Sequence, residues 1–229
     1  MIARLVLALL APFVLVGCVL TPGKFVSTLR IDADRNFAFT YKGEVIAVDP
    51  STAVKMDATK PADSDKVDVK TEAAPTEDTE AKHRAMAETL AKEAGYRSVV
   101  YRGKGKFEID YAMSGTLSHG FVFPYNSDAE AVFPFLAIEV RKGGLVRVKA
   151  PGFAAGRSNA GAAAGGGMGT PSADTAKYLD GSFTLDTDAE IVSQNNEDGA
   201  VAAGKRRSIR WRVTPLSKDA PTAVLRLRP

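Results

Sequence analysis

The feature that most constrains the fold of this chain is a strict two-residue alternation of large apolar and polar side chains, repeated over many short segments. Phe37, Phe39 and Tyr41 alternate with Ala38 and Thr40, and Phe107, Ile109, Tyr111 and Met113 alternate with Glu108, Asp110 and Ala112. Successive side chains of a strand point to opposite faces of a sheet, so each set marks one buried face and one solvated face. The sequence therefore predicts a mainly antiparallel β-sheet.

Along the chain, strands are expected at 24–31 and 36–42, joined by Asp32-Ala33-Asp34-Arg35, whose aspartates favour a turn through local hydrogen bonds. A short strand at 44–48 follows. Residues 49–75 carry charge, Pro, Ser and Thr with little large apolar content, and are read as a flexible loop. A helix is predicted over 76–94. Thr76 is its N-cap, Glu77, Asp78 and Glu80 complement the positive end of the helix dipole, and Gly95 stops it. Its narrow stripe of His83, Met86, Ala87, Leu90 and Ala94 suits a cover laid on a sheet.

Strands are expected again at 98–102, 106–113 and 116–124, with a turn at Ser114-Gly115 between the last two and their apolar faces against the helix. A hairpin at 133–141 and 145–149 is closed by Gly143-Gly144. Residues 152–176, rich in Gly, Ala and Ser, are read as a second flexible loop. Further strands are predicted at 181–186, 189–194, 207–214 and 222–228. One helix among roughly ten strands gives an α+β fold, a curved sheet or open barrel packed against one α-helix.

The N-terminus constrains location. Arg4 precedes an apolar run from Leu5 to Val16 that is too short to span a bilayer and is interrupted by Pro12. Leu15-Val16-Gly17-Cys18 then has the form of a lipobox, and this stretch resembles bacterial lipoprotein precursors. The resemblance implies removal of residues 1–17 as a signal peptide and acylation of the Cys18 thiol. Residues 18–23 are the expected acylated tether, and 24–229 the expected single domain. Two or three acyl chains anchor a protein firmly. Val19 stands where an inner-membrane retention signal has aspartate, so the periplasmic face of the outer membrane is favoured in a diderm organism.

Cys18 is the single cysteine, which excludes an internal disulfide and a thiolate metal site. A formal charge of +3 argues against general nucleic-acid binding. His83 and His119, the two histidines, have no second ligand at metal or triad spacing. The glycines of 161–169 lack the Lys-Ser/Thr of a phosphate loop. Glu108 and Asp110 share one strand face, the solvent side, because Phe107, Ile109 and Tyr111 claim the other. No cofactor is expected and no enzyme is indicated.

The remaining constellation is cationic. Residues 205–229 hold eight Lys or Arg against the single acid Asp219. With Ile209, Trp211 and Val213 facing the core, Arg210 and Arg212 point outward, and Arg226 and Arg228 do so beside Leu225 and Leu227. If the two strands pair, four guanidiniums form one patch suited to phosphate or another anion. The alternative reading of the same residues is a solvated edge that discourages strand addition.

The element order, with Gly181-Ser182-Phe183-Thr184-Leu185 and Ser208-Ile209-Arg210-Trp211-Arg212-Val213 near the end, resembles the LppM-type envelope lipoproteins. That resemblance implies an envelope domain with a lipid-binding cavity. The two long loops depart from it, as does the lack of a C-terminal transmembrane helix. The expected function is a non-enzymatic, membrane-anchored lipoprotein that binds a lipid or other anionic envelope ligand. The alternative is a structural or interaction lipoprotein that contacts an envelope protein without a small ligand. A solid core favours the second.

Overall fold

A computed structural model describes residues 19–48, 76–124, 134–155 and 176–228. The lipobox at Cys18, the whole of the loop expected at 49–75, and residues 156–175 lie outside them.

The fold is α+β, and the described residues form two stacked sheets and one α-helix. Strands β1 (Val19–Ile31) and β2 (Asn36–Val48) form the expected hairpin, extended at both ends. Its turn is closed by Asp32 N–H donating to the Asn36 carbonyl at 2.8 Å and by Arg35 N–H donating to the Asp32 carbonyl at 3.0 Å. The separate strand expected at 44–48 is the continuation of β2 through an irregularity at Gly43. A Cβ there would stand 2.3 Å from the Lys24 carbonyl oxygen, so the strands close up only around a glycine. β1 begins at Val19, where a tether to residue 23 is expected.

Helix α1 (Glu77–Leu90) is capped by Thr76, whose Oγ1 accepts from Thr79 N–H, and it buries His83, Ala87 and Leu90. It ends one turn early, and Ala94 is exposed. Lys92 and Glu93 N–H donate to the carbonyls three residues back, tightening the chain toward β3 (Tyr96–Gly103).

β4 (Lys106–Thr116) corrects the turn expected at Ser114-Gly115. Those residues stay in the ladder opposite Ala38 and Phe37, because β2 offers pairing partners along the whole length of β4. The chain then leaves for the second sheet as β5 (Phe121–Phe123), so the expected β4–β5 hairpin does not form. β6 (Leu136–Val140) and β7 (Leu145–Lys149) pair across Gly143-Gly144 as expected. After them the segment read as a loop starts with order, since a short turn at Pro151–Phe153 buries Phe153 fully.

β8 (Asp180–Thr187) and β9 (Glu190–Gln194) match expectation. The next strand, β10 (Val201–Ala203), was hidden because all three residues are exposed and carry no alternation. β11 (Arg206–Val213) and β12 (Thr222–Arg226) complete the set. The seven-stranded sheet has the order β10-β11-β8-β1-β2-β4-β3, and the five-stranded sheet β5-β6-β7-β12-β9. Neighbours are antiparallel except β1 and β8.

The sheets share one core rich in rings. Phe25 stacks on Tyr41 at 5.5 Å and on Phe153 at 4.4 Å, and Phe183 stacks on Trp211 at 5.5 Å. Phe123 meets Tyr111 at 4.5 Å and Phe39 at 5.1 Å. The face of β5 thus meets β2 and β4, whereas the helix was its expected partner. Offset and edge contacts of this kind add to burial.

His83 is 4 % exposed, with Nδ1 at 3.2 Å from the Tyr101 hydroxyl and Phe107 against its ring. Burial pushes its imidazole below the ordinary value of 6.5, against the opposing pull of Glu80. The folded state therefore holds His83 neutral at pH values where the unfolded chain binds a proton. Its contribution to stability is complete above 6.5 and is lost as pH falls from there through the folded value. Thermal melts between about pH 7.5 and 5.5 are expected to show a larger fall for the native chain than for His83→Gln. Equal falls would assign the loss to other groups.

Candidate functional site: the groove along β11

β11 lies between β8 and β10, and β12 lies between β7 and β9 in the other sheet. The strands therefore do not pair, and the condition for a four-guanidinium patch is not met. Alternation does turn all four arginines outward as expected. Arg212 Nη2 pairs with Asp180 Oδ1 at 2.8 Å, Arg226 Nε with Glu190 Oε2 at 3.2 Å, and Arg228 Nη2 with Asp188 Oδ2 at 3.7 Å. Such exposed pairs add little stability, but each places a carboxylate against the cation. Arg210 alone of the four has no ion pair among the described residues.

Arg210, Trp211 and Arg212 line a surface groove of about 950 Å³. Its walls are the 195–199 segment before β10 and the 217–219 segment before β12. These walls were missed in the sequence, where Asn-Asn-Glu-Asp-Gly signals only a turn. Asn195 fixes the first wall. Its Oδ1 accepts from Trp211 Nε1 at 3.2 Å and from Thr222 N–H at 2.9 Å, and its Nδ2 donates to the Ala220 carbonyl at 2.8 Å. In the second wall, Ser217 Oγ accepts from Thr214 N–H at 3.0 Å.

The groove follows an incomplete sheet edge. β10 pairs with β11 only from Arg206 to Ser208. Beyond that point no strand borders this side of β11 among the described residues, and Asn196 Nδ2 caps the Arg210 carbonyl at 2.9 Å. An unpaired edge sunk between two walls can accept an extended chain by strand addition, with side-chain choice set by the flanking residues. Those residues are of mixed sign: Arg210, Arg212 and Lys218 face Glu197, Asp198 and Asp219. The field is thus less cationic than the sequence suggests.

The other candidates fall where the residue types placed them. Glu108 is exposed and pairs with Arg102 at 2.6 Å, beside Asp110 in a shallow cleft of about 240 Å³. His119 Nδ1 stands 3.0 Å from Ser118 Oγ at the surface. Among the described residues no group of His, Cys, Asp and Glu is arranged to hold a metal ion, and no helix is long and apolar enough to cross a membrane.

No protein-family model matches the chain, and no curated protein sequence matches it. Among solved structures, the NMR structure of the folded domain of LppM from Mycobacterium tuberculosis aligns over 92 % of this chain and 93 % of that one, at 16 % identity and a TM-score of 0.35. That likeness is too loose to transfer strand detail or function.

Proposed function

We propose that the chain is a lipid-anchored, non-enzymatic protein of the bacterial cell envelope, held on the extracytoplasmic side by Cys18, whose β domain recognises an envelope protein along the β11 groove. The observation that carries this reading over an internal lipid carrier is the filled core. Phe39, Tyr41, Phe123, Phe135, Phe153 and Phe183 are each at most 1 % exposed and touch one another from both sheets. A carrier needs a chamber where these rings sit. The lipobox supports the anchor. An anionic envelope ligand at the surface is the second reading, favoured by the guanidinium of Arg210, which has no ion pair among the described residues.

Cys18→Ala is expected to move the protein from the membrane to the soluble fraction of cells. A variant that is processed normally and stays with the membrane would remove the anchor from the account. For the groove, a photo-crosslinker at Val201, a groove-lining residue of β10 that is 68 % exposed, should give a discrete adduct in cells that Arg210→Glu abolishes. The same crosslinker at Val122 of β5 should give none. Adducts of equal yield at both positions would argue against the groove.

A further inference from the structure

We infer that the end of the seven-stranded sheet carrying the β3–β4 hairpin tip rests in the phospholipid headgroup layer, with Lys104 directed at lipid phosphate. This rests on the acylation of Cys18 proposed above. It follows from where β1 begins. Cys18 is two residues from Leu20, and an extended chain spans at most about 7 Å over that distance. Leu20 lies opposite Ala47 in the β1–β2 ladder, and Ala47 N–H donates to the Gly105 carbonyl at 2.8 Å. Leu20, Ala47 and Gly105 thus form one row at the same end of the sheet. The headgroup layer is roughly 6 Å thick on each side of the bilayer. With the acyl linkage seated in it and no tether between anchor and sheet, this row has no room to withdraw.

The tip is built to be a short contact. Arg102-Gly103-Lys104-Gly105-Lys106 turns within positive-φ backbone at Gly103, Lys104 and Gly105, and a Cβ on Gly105 would press to 2.8 Å from the Ala47 carbonyl oxygen. Glu80 Oε1 accepts from Lys104 N–H at 2.9 Å and holds the tip against the first turn of α1. Arg102 and Lys106 are paired with Glu108 and Glu44. Lys104 is exposed and in no ion pair among the described residues, so its ammonium is available to phosphate. Glu77 and Asp78 bring acid to the same end. Charge alone therefore does not recruit this surface, and the anchor does.

The chain's single cysteine is consumed by acylation, so an introduced cysteine is the one free thiol of the mature lipoprotein. Full-length acylated Lys104→Cys and Asp34→Cys, the latter in the β1–β2 turn at the opposite end of the sheet, are labelled with a fluorophore. Both are then reconstituted in phosphatidylethanolamine and phosphatidylglycerol vesicles that carry a nitroxide on the lipid headgroup. Quenching is expected to be several-fold stronger at position 104 than at position 34. Equal or reversed quenching, with the acyl mass on Cys18 verified, overturns the orientation and leaves the anchor standing. An unmodified Cys18 mass with no co-flotation overturns both.

Discussion

Phe123→Ala is expected to lower stability by about 4 kcal/mol, the cost of removing a fully buried ring whose surroundings collapse only in part. Phe123 is 1 % exposed and its centroid lies 4.5 Å from Tyr111, 5.1 Å from Phe39, 5.3 Å from Tyr41 and 5.9 Å from Phe135. Three of those rings belong to the seven-stranded sheet, so Phe123 is where three-residue β5 fastens one layer to the other. The neighbours are themselves rings locked by further contacts, which limits relaxation into the cavity. For a domain of this size the melting temperature should fall by roughly 10 °C. Phe123→Leu should lose less than about half of that, since most of the apolar volume stays. A melt within about 2 °C of the native chain for the alanine variant would mean that the core tolerates a void, as a ligand chamber would.

The second large effect is expected at Arg206. Its guanidinium, 24 % exposed, joins Asp32 at 2.7 Å, Asp186 through a short hydrogen bond, and Asp188 at 3.9 Å. Asp188 also accepts from Ala33 N–H at 2.7 Å and pairs with Arg228. Arg206 therefore ties the β1–β2 turn to the β8–β9 connection, where the chain passes between sheets. Arg206→Ala leaves carboxylates facing one another with their shared cation gone, and removing one partner from a well-buried pair costs about 3–5 kcal/mol. Partial exposure reduces this to roughly 2–3 kcal/mol. Arg206→Lys should recover little, because an ammonium cannot present the planar fork that spans two carboxylates. Burial alone would raise the Asp32 carboxyl, but hydrogen bonds from Arg30 and Arg206 outweigh it and hold the group below its ordinary value of 3.8. The Asp32 contribution is present above 3.8 and is lost as pH falls through the lowered folded value. The Arg206→Ala penalty should accordingly shrink in acid. A penalty that stays constant down to about pH 2.5 would place the effect in packing.

Alternation told which face each strand buries and was silent on its neighbours. Ile209, Trp211 and Val213 announced that Arg210 and Arg212 point outward, and they do. Nothing in those residues told that β12 joins the other sheet, because a strand's period marks a face and carries no address. The β1–β2 and β6–β7 hairpins were legible because their turn residues close short loops. The parallel pairing of β1 with β8 was not, since it joins residues more than 150 positions apart, as in Lys24 with Asp180. β10 escaped because an exposed edge strand needs no apolar face, and the groove walls escaped because Asn195 acts through hydrogen bonds that composition does not encode. The filled core was the least legible property, for the same aromatic residues line chambers and fill solids alike.

The most direct test is native mass spectrometry of the folded domain, residues 20–229, secreted to the periplasm and purified without denaturation. The account predicts the bare polypeptide mass, unchanged on denaturation. A stoichiometric lipid-sized adduct that is lost on unfolding would contradict the filled core and restore the carrier reading.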